Sequence, residues 1–160
     1  MNRVGFNWVK FVEGMTALLI EAIRKEDLEE LGLLYQDLTG EVADLEKMAR
    51  TFQWMNIDPD YILLGAKLDD RLAGSLMGIV CYELLGSCRP FMVVENVIVG
   101  GRFRRMGIGK ALMEAIEAMA REKRCYLVQL VSSGHRKEAH RFYEALGYGT
   151  DPVRGFRKFL

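Results

Sequence analysis

The chain has 160 residues, of which half are apolar and 28% are charged, a length and composition typical of one globular domain. Lysine plus arginine and aspartate plus glutamate both number 22, so the formal net charge is zero. Because the neutralisation of phosphates supplies most of the affinity of nucleic-acid binders, this balance argues against a nucleic-acid partner.

The cysteines and the N-terminal stretch indicate a cytoplasmic protein. Cys81, Cys88 and Cys125 are odd in number and lack the spacing of a zinc or redox site, which predicts reduced thiols and no metal site. No apolar run reaches the ~20 residues of a membrane span. Lys10 and Glu13 interrupt the apolar stretch that a signal peptide would need. We therefore expect no membrane partner and one domain over residues 17–160. Residues 1–16 are expected to form an extension that is an added strand, a docking arm or a loose tail.

The first half of this domain predicts one strand and two helices. A strand over residues 17–24 precedes a helix with Asp27 as its N-cap and Gly40 as its end. Apolar residues recur in that helix at spacings of three and four, namely at Leu28, Leu31, Leu34, Tyr35 and Leu38. A second helix is predicted over about residues 42–52, and Asp58-Pro59-Asp60 interrupts the chain after it.

The second half alternates strands and helices. A hairpin is predicted from residues 61–68 and 72–84 around Asp69-Asp70-Arg71, followed by a central strand over residues 91–99. The remaining predicted elements are a helix over residues 107–123, a strand over 126–132, a helix over 136–146 ended by Gly147, and a strand over 153–159. The order β-α-α-β-β-β-α-β-α-β predicts an α/β fold, with a mixed sheet and helices on both faces.

A loop rich in glycine and arginine joins the predicted central strand to the next helix. The strand ends in Glu95-Asn-Val-Ile-Val99, and the loop reads Gly100-Gly-Arg-Phe-Arg-Arg-Met-Gly-Ile-Gly109. Glycines let backbone N–H groups point at one anion, and the start of a helix adds partial positive charge. With Arg104 and Arg105 beside it, the loop predicts a pocket for a phosphate or pyrophosphate.

Two nucleotide-binding motifs do not fit this loop. The nucleotide P-loop requires glycine where Arg104 stands and serine or threonine where Ala111 stands. The dinucleotide fingerprint requires a third glycine where Leu112 stands, and Val131-Ser132-Ser133 lacks the acidic residue that would bind a ribose. Both nucleotide interpretations are therefore poor.

The loop resembles the acetyl-CoA motif of the GNAT superfamily of N-acetyltransferases, Arg/Gln-x-x-Gly-x-Gly/Ala, through Arg104, Gly107 and Gly109. A later stretch resembles the closing signature of the same superfamily, in which an alanine, a Phe-Tyr pair and a glycine followed by an aromatic residue occur in order. The matching residues are Ala139, Phe142, Tyr143, Gly147 and Tyr148. The resemblance covers about residues 17–160 and is strongest over residues 95–149.

This resemblance implies acetyl-CoA as the co-substrate and no metal. The strand at residues 95–99 is expected to splay from the strand at 126–132, so that the pantetheine arm pairs with the backbone of Val97, Ile98 and Val99. The pyrophosphate is expected on loop N–H groups, from Arg104, Arg105, Met106, Gly107, Ile108, Gly109 and Lys110. An ordinary core strand at residues 97–99 is compatible with this role, because side chains pack while the backbone binds.

Two catalytic residues are implied by the resemblance. Glu95 lies where many superfamily enzymes carry a glutamate that deprotonates the amine directly or through water. Its other interpretation is a surface or ion-paired carboxylate, and the cost of burying a carboxylate in an apolar strand favours the base. Tyr143 matches a tyrosine that protonates the leaving thiolate, while its place in the apolar repeat of its helix also suits a core residue. His135 and His140 are weaker candidates.

The implied function is the direct transfer of acetyl from acetyl-CoA to a primary amine, of a small molecule or of a protein, with the small molecule favoured. A non-catalytic GNAT-fold module that binds acetyl-CoA is the alternative. An RNA-contacting surface around Arg102, Arg104 and Arg105 is a third interpretation, which the zero net charge disfavours.

The acceptor is not identified by the sequence, and association as a homodimer is left open. The acceptor pocket is expected in the two early helices and their loops, about residues 28–60, which offer Tyr35, Asp37, Glu41, Met48, Trp54 and Met55. The strings Val94-Glu95-Asn96-Val97 and Cys125-Tyr126 are similar to those of glucosamine-phosphate acetyltransferases, but generic bacterial members share such strings.

Overall fold

The computed structural model of the protein describes residues 8–10 in their backbone and residues 17–149 and 156–159 in full. The chain forms two units, Met1–Gln129 and Leu130–Leu160. Its elements are β1 (Trp8–Lys10), β2 (Leu18–Ala22), α1 (Leu28–Thr39), α2 (Leu45–Ile57), β3 (Tyr61–Leu68), β4 (Arg71–Cys81), β5 (Phe91–Val99), α3 (Ile108–Glu122), β6 (Val128–Leu130) and α4 (Lys137–Ala145). Within these residues, no helix has the length and apolar character needed to cross a membrane.

The sheet has its strands in the order β1-β2-β3-β4-β5-β6, and β1 to β5 are antiparallel neighbours. The segment that leads into β6 instead runs parallel to β5. The backbone N–H of Tyr126 donates to the Pro90 carbonyl at 2.9 Å, and the backbone N–H of Met92 donates to the Leu127 carbonyl at 3.0 Å. Residue numbers therefore increase in the same direction along both segments, as in parallel pairing. The predicted mixed α/β fold is confirmed.

Turn and cap signals in the sequence account for several element ends. Asp69 and Asp70 both have positive φ, at 51° and 58°, which is the geometry of a tight hairpin turn between β3 and β4. Gly40 ends α1 with φ 80° and donates its N–H to Gln36, as predicted. Asp27 stands before α1 but does not cap it, because its carboxylate accepts from the N–H of Arg24 and binds Lys67.

Several predicted elements have different bounds in the structure. The second helix begins at Leu45, because the Asp44 carboxylate caps it by accepting from the Lys47 N–H at 3.0 Å, and it continues to Ile57. The second hairpin strand ends at Cys81, and the strand predicted over residues 126–132 is only Val128–Leu130. Of the strand predicted over residues 153–159, residues 156–159 have no regular structure and the others lie outside the described residues.

The sheet of the first unit is covered on both faces. On one face, α1 and α2 bury an apolar cluster made of Ile23, Leu28, Leu31, Leu34, Phe52, Leu72 and Ile98. On the other face, α3 packs against β4. A Cβ at Gly74 would come within 3.3 Å of Leu112, and one at Gly78 within 2.6 Å of Ile116. These glycines let α3 lie close to the sheet, which sets the position of its N-terminus after β5.

Ion pairs hold the start of α1 on the sheet. The Lys67 ammonium contacts the buried carboxylates of Glu21 at 2.9 Å and Asp27 at 2.7 Å. One turn later, Glu30 pairs with the Arg71 guanidinium and accepts the Leu72 N–H at 2.8 Å. Because breaking a buried pair is costly, these contacts keep α1 in one position over β4 and β5.

The second unit contains α4, whose C-terminus has the predicted glycine geometry. Gly147 has φ 89°, and its backbone N–H donates to the Glu144 carbonyl at 2.9 Å. The backbone N–H of Tyr148 donates to the Tyr143 carbonyl at 3.0 Å. Together these two hydrogen bonds form a Schellman motif. Its usual side-chain contact is present, since the rings of Tyr143 and Tyr148 lie 6.1 Å apart.

Candidate active site

The loop between β5 and α3 has the backbone of an anion-binding turn. A 3-10 turn over Gly101–Phe103 is followed by Arg104 in an extended conformation. Arg105 has φ 65° and Gly107 has φ 77°, so left-handed residues alternate with other conformations just before the helix. Such alternation turns successive N–H groups toward one concave side.

The N-terminus of α3 leaves its first donors without a side-chain acceptor. Gly107 is the N-cap, no side chain caps the helix, and its first turn holds no acidic residue. The first hydrogen bond of the helix is donated by Ala111 to Gly107 at 3.0 Å, so the N–H groups of Ile108, Gly109 and Lys110 precede it. Apart from Gly107 itself and its chain neighbours, no atom of the described residues lies within 4 Å of the position that a Cβ at Gly107 would take. The turn therefore has the space and the donors to fit a diphosphate such as that of acetyl-CoA.

Basic side chains surround this turn. Arg104 donates its Nε to the Val99 carbonyl at 3.4 Å, and Arg102 lies 4.6 Å over the Phe103 ring. Lys110 is 3.7 Å from Glu114. Among residues 17–149 and 156–159, no carboxylate forms an ion pair with Arg102, Arg104 or Arg105. The positive charge on the loop is thus available to an anion.

The end of β5 contains a bulge that the sequence did not predict. Met77 pairs with Glu95 and Ser75 pairs with Ile98, so Asn96 and Val97 together lie opposite the one residue between Ser75 and Met77. Asn96 takes a φ of 54° to make this possible. Because residues two apart on a strand share a face, Ser75, Met77, Glu95 and Ile98 all lie on the face that α1 covers.

Glu95 is half-buried on that face, opposite Met77. Within the described part of the chain, its carboxylate has no hydrogen bond or ion pair. The interpretation of Glu95 as an ion-paired residue therefore finds no support among the described residues. Its role as a base stays a prediction.

Val97, Ile98 and Val99 form the last part of β5, and the Ile98 side chain belongs to the core cluster beneath α1. The observed pairing toward β6 involves residues 90, 92, 126 and 127, ahead of Glu95. The binding of the pantetheine arm by the backbone of residues 97–99 remains a prediction. The binding of the pyrophosphate by Arg104 to Lys110 also remains a prediction, and these residues form a continuous stretch from the loop into the start of α3.

Tyr143 lies on α4 in the second unit and is 8% exposed. Its ring is 5.2 Å from that of Phe142. The Nε2 atom of His140 lies 3.0 Å from the carbonyl oxygen of Ser133. The Ser132 hydroxyl, which the sequence did not single out, is buried and has no hydrogen-bond partner among the described residues. This unit therefore contains one predicted catalytic residue and one unsatisfied polar group.

All three cysteines are free thiols. Burial raises the pKa of Cys125, which keeps that thiol protonated and a weak nucleophile at neutral pH. Among the described residues, no three His, Cys, Asp or Glu side chains are grouped as metal ligands.

A cleft of about 500 Å³ lies between α1, the β3–β4 turn and the start of the loop. Glu30, Asp37, Arg71, Arg102 and Phe103 are among its lining residues. Residues 100–103 at the start of the loop line this cleft, whereas residues 104–110 are not among its lining residues.

Comparison with known proteins assigns the family. Residues 20–148 match the model of the acetyltransferase (GNAT) family. The chain is 26% identical over 138 residues to glucosamine 6-phosphate N-acetyltransferase of Arabidopsis thaliana, covering 85% of this chain and 89% of that protein.

Solved structures agree on the fold. A transcriptional regulator from Bacillus halodurans C-125 superposes with a TM-score of 0.82 at 26% identity, over 89% of this chain and 99% of that one. The glucosamine-6-phosphate N-acetyltransferase of Arabidopsis thaliana superposes with a TM-score of 0.76 at 24% identity, over 88% and 97%, which at that identity is a likeness of fold alone. Since the family model spans most of the chain and includes the loop before α3, this protein belongs to the acetyltransferase (GNAT) family and is an acyltransferase.

Proposed function

We propose that this protein transfers an acetyl group from acetyl-CoA to a primary amine, by direct attack in a ternary complex. The observation that carries the proposal is the turn before α3, in which Gly107 has φ 77° and no side chain caps the helix. The arginines beside this turn have no ion-pair partner among the described residues, and the N–H groups of Ile108, Gly109 and Lys110 precede the first hydrogen bond of the helix. The family uses acetyl-CoA, and a turn of this kind suits the diphosphate of that co-substrate. Arg104 to Lys110 would bind the diphosphate, and the backbone of Val97 to Val99 would bind the pantetheine arm.

Glu95 is proposed as the base. An alkylamine has a pKa near 10.4 and is mostly protonated at pH 7, so a group that removes its proton is needed before attack. Glu95 is half-buried on the face covered by α1, and no partner among the described residues holds its carboxylate. The proton passes to Glu95 directly or through water, and the amine nitrogen attacks the thioester carbonyl.

Tyr143 is proposed as the acid that protonates the CoA thiolate as the carbon–sulfur bond breaks. Tyr143→Phe keeps the ring that packs with Phe142 and Tyr148 and removes only the hydroxyl. We expect kcat to fall by about 10², at the low end of the range for general acids because a thiolate leaves readily. Steady-state kinetics and thermal unfolding of the variant measure the effect, with Tyr148→Phe on the same unit as the matched control. Unchanged kcat in Tyr143→Phe would leave Tyr143 as a core residue.

An acetyl-cysteine intermediate is not part of the proposal. The pKa of Cys125 is raised by burial, and neither Cys81 nor Cys88 belongs to either catalytic motif. Direct transfer predicts initial-rate patterns that intersect, whereas ping-pong kinetics would require a covalent acetyl-enzyme.

The acceptor is proposed to be a small-molecule amine, with an amino sugar phosphate as the first candidate. The support is the similarity to a protein named glucosamine 6-phosphate N-acetyltransferase, which covers most of both chains. A protein amine is the second acceptor class.

The test of the function is acetyl-CoA turnover with a panel of amines. The panel contains glucosamine 6-phosphate, an aminoglycoside, spermidine and a lysine-containing peptide, and free CoA is measured with a thiol reagent. We expect at least one amine to raise CoA release well above the rate without amine. Binding of acetyl-CoA with no release on any amine would instead favour a non-catalytic acetyl-CoA-binding module.

A further inference from the structure

The cleft between α1 and the start of the loop has an apolar floor. Its volume of about 500 Å³ is within the range of small-molecule sites, about 300–1,000 Å³. Leu34 and Leu72 line the cleft and are buried. A Cβ at Gly100 would lie 3.2 Å from Leu34 and 3.4 Å from Phe103, so the helix and the loop meet at this floor. The cleft therefore has the size and the apolar surface to bind a small molecule.

One face of α1 forms a wall of the cleft. Its lining residues follow the helical spacing i, i+3, i+4 and i+7, at Glu30, Leu33, Leu34 and Asp37. At a rise of 1.5 Å per residue, Glu30 and Asp37 are about 10.5 Å apart along the helix axis. The wall thus has a carboxylate at each end and apolar side chains between them.

The charged groups of the cleft differ in their partners. One oxygen of Glu30 pairs with the Arg71 guanidinium, and the other accepts a backbone N–H at 2.8 Å. Asp37 is exposed, and its carboxylate has no ion pair or hydrogen bond among the described residues. On the loop, Arg102 lies 4.6 Å over the Phe103 ring and has no carboxylate partner in the same part of the chain. The cleft therefore offers one carboxylate and one guanidinium to a ligand.

These two charges determine the class of ligand. Asp37 lies on the helix and Arg102 on the loop, and they do not pair with each other. A ligand with one charge would satisfy only one of them, whereas a zwitterion satisfies both. A guanidinium binds a carboxylate through two parallel hydrogen bonds, and a carboxylate accepts from an ammonium group. The apolar lining at Leu33 and Phe103 suits a hydrocarbon side chain. An α-amino acid with an apolar side chain has all three features.

The cleft is distinct from the place where an amine would be acetylated. Among the described residues, none of β5 lines it. Gly100, its first lining residue on the loop, follows Glu95 by five residues, which is roughly 15 Å along an extended strand. Since the proposed base does not line the cleft, we assign the cleft to an effector and not to the acceptor.

The loop that lines the cleft continues into the turn before α3. The Arg104 backbone N–H donates to the Gly101 carbonyl at 3.4 Å, and its Nε donates to the Val99 carbonyl at 3.4 Å. Because such bonds are usually about 2.7–3.2 Å long, these two hold the loop weakly. A ligand that joins Asp37 on α1 to Arg102 on the loop adds a connection between the two elements, which favours one position of the loop.

We propose that the cleft binds an α-amino acid with an apolar side chain as an effector that strengthens the binding of acetyl-CoA. The α-carboxylate binds Arg102, the α-ammonium binds Asp37, and the side chain lies against Leu33 and Phe103. The bound amino acid holds residues 100–103 against α1 and thereby orders the turn that follows them. The effect on acetyl-CoA rests on the proposed function, whereas the binding of the amino acid does not.

Titration calorimetry of the free protein with L-leucine tests the site. We expect a Kd of about 1 mM or lower. Leucine amide lacks the carboxylate and N-acetylleucine lacks the ammonium, so each should bind about 5-fold more weakly, the upper end for an exposed ion pair. Asp37→Asn should weaken leucine by the same factor and leave N-acetylleucine unchanged. Arg102→Gln should weaken leucine and leave leucine amide unchanged, since each variant removes a group that its paired ligand does not use.

Two variants provide matched controls for the loss of charge. Glu29→Gln on α1 and Arg89→Gln before β5 replace exposed residues that do not line the cleft. Both should bind leucine as wild type does. If wild type does not bind leucine, or if the controls weaken it as much as Asp37→Asn and Arg102→Gln do, the assignment of the cleft is overturned.

A second titration measures the effect on the co-substrate. With L-leucine at saturation, the Kd for acetyl-CoA should fall by about 5-fold, and acetyl-CoA should lower the Kd for leucine by the same factor, because coupling between two sites is reciprocal. An acetyl-CoA affinity that bound leucine does not change, or acetylation of leucine itself, would overturn the effector role. Failure of wild type to bind acetyl-CoA without leucine would contradict the proposed function, while the titration with leucine alone still tests the cleft.

Discussion

Glu95→Gln is expected to lower kcat by about 10²–10⁴, the contribution of a positioned general base, with little change in the affinity for acetyl-CoA. Glutamine keeps the size of the side chain on the half-buried face opposite Met77 but cannot take a proton from the amine. The acid limb of the pH–rate profile should also be altered in the variant, because glutamine cannot act as the base. Initial rates from pH 5 to 10 measure both effects.

A matched control separates the base from a general effect of charge. Glu117→Gln removes a carboxylate of α3 that pairs with Arg121 at 3.2 Å and lies outside the proposed site. We expect wild-type kcat for this control. An acid limb that is the same in Glu95→Gln and wild type would demote Glu95 to a structural residue, and the deprotonating group would then be another side chain or a water molecule.

Gly107→Asp is expected to abolish acetyl-CoA binding. The substitution places a side chain in the open space of the turn and a negative charge against the proposed diphosphate site, at the N-cap of α3. Wild type at an acetyl-CoA concentration of 100 times Kd should gain about 2.7 kcal/mol in unfolding free energy, and the variant should gain none. Thermal unfolding with and without acetyl-CoA, together with titration calorimetry, measures this difference.

Gly40 provides the control for backbone strain. It has φ 80° against 77° for Gly107. At both positions an added Cβ would have no atom of the described residues within 4 Å, the glycine and its chain neighbours apart. Gly40→Asp therefore carries the same side chain on the same left-handed backbone, at the end of α1 and away from the turn. Its stabilisation by acetyl-CoA should equal that of wild type. Equal binding by Gly107→Asp and wild type would show that the diphosphate lies elsewhere.

The two variants should lose different steps of the reaction. Glu95→Gln should bind acetyl-CoA and fail in transfer, whereas Gly107→Asp should fail at binding. This separation follows from their positions, since Glu95 lies inside β5 and Gly107 lies at the start of α3.

The sequence alone determined the features that depend on neighbouring residues. The turn of Asp69 and Asp70, the left-handed ends at Gly40 and Gly147, and the glycine turn before α3 are all local, because each requires only a residue type that tolerates its own φ. The family motifs have the same property, since their residues are contiguous on one loop or one helix. For this reason the mixed α/β fold and the glycine turn before α3 could be predicted without coordinates.

The tertiary structure alone decided how distant residues combine. The bulge at Asn96 depends on the register between β4 and β5, and this register determines that Glu95 faces α1. Asp27 looked like a helix cap, but its carboxylate binds Lys67 of another strand, because a buried charge is most stable beside its counter-ion. Tyr35 occupies one position of the apolar repeat in its helix, and it packs against the buried cluster only once α1 lies on the sheet. A pattern of spacing specifies the face on which a side chain lies, whereas its partners depend on the packing of elements far apart in the chain.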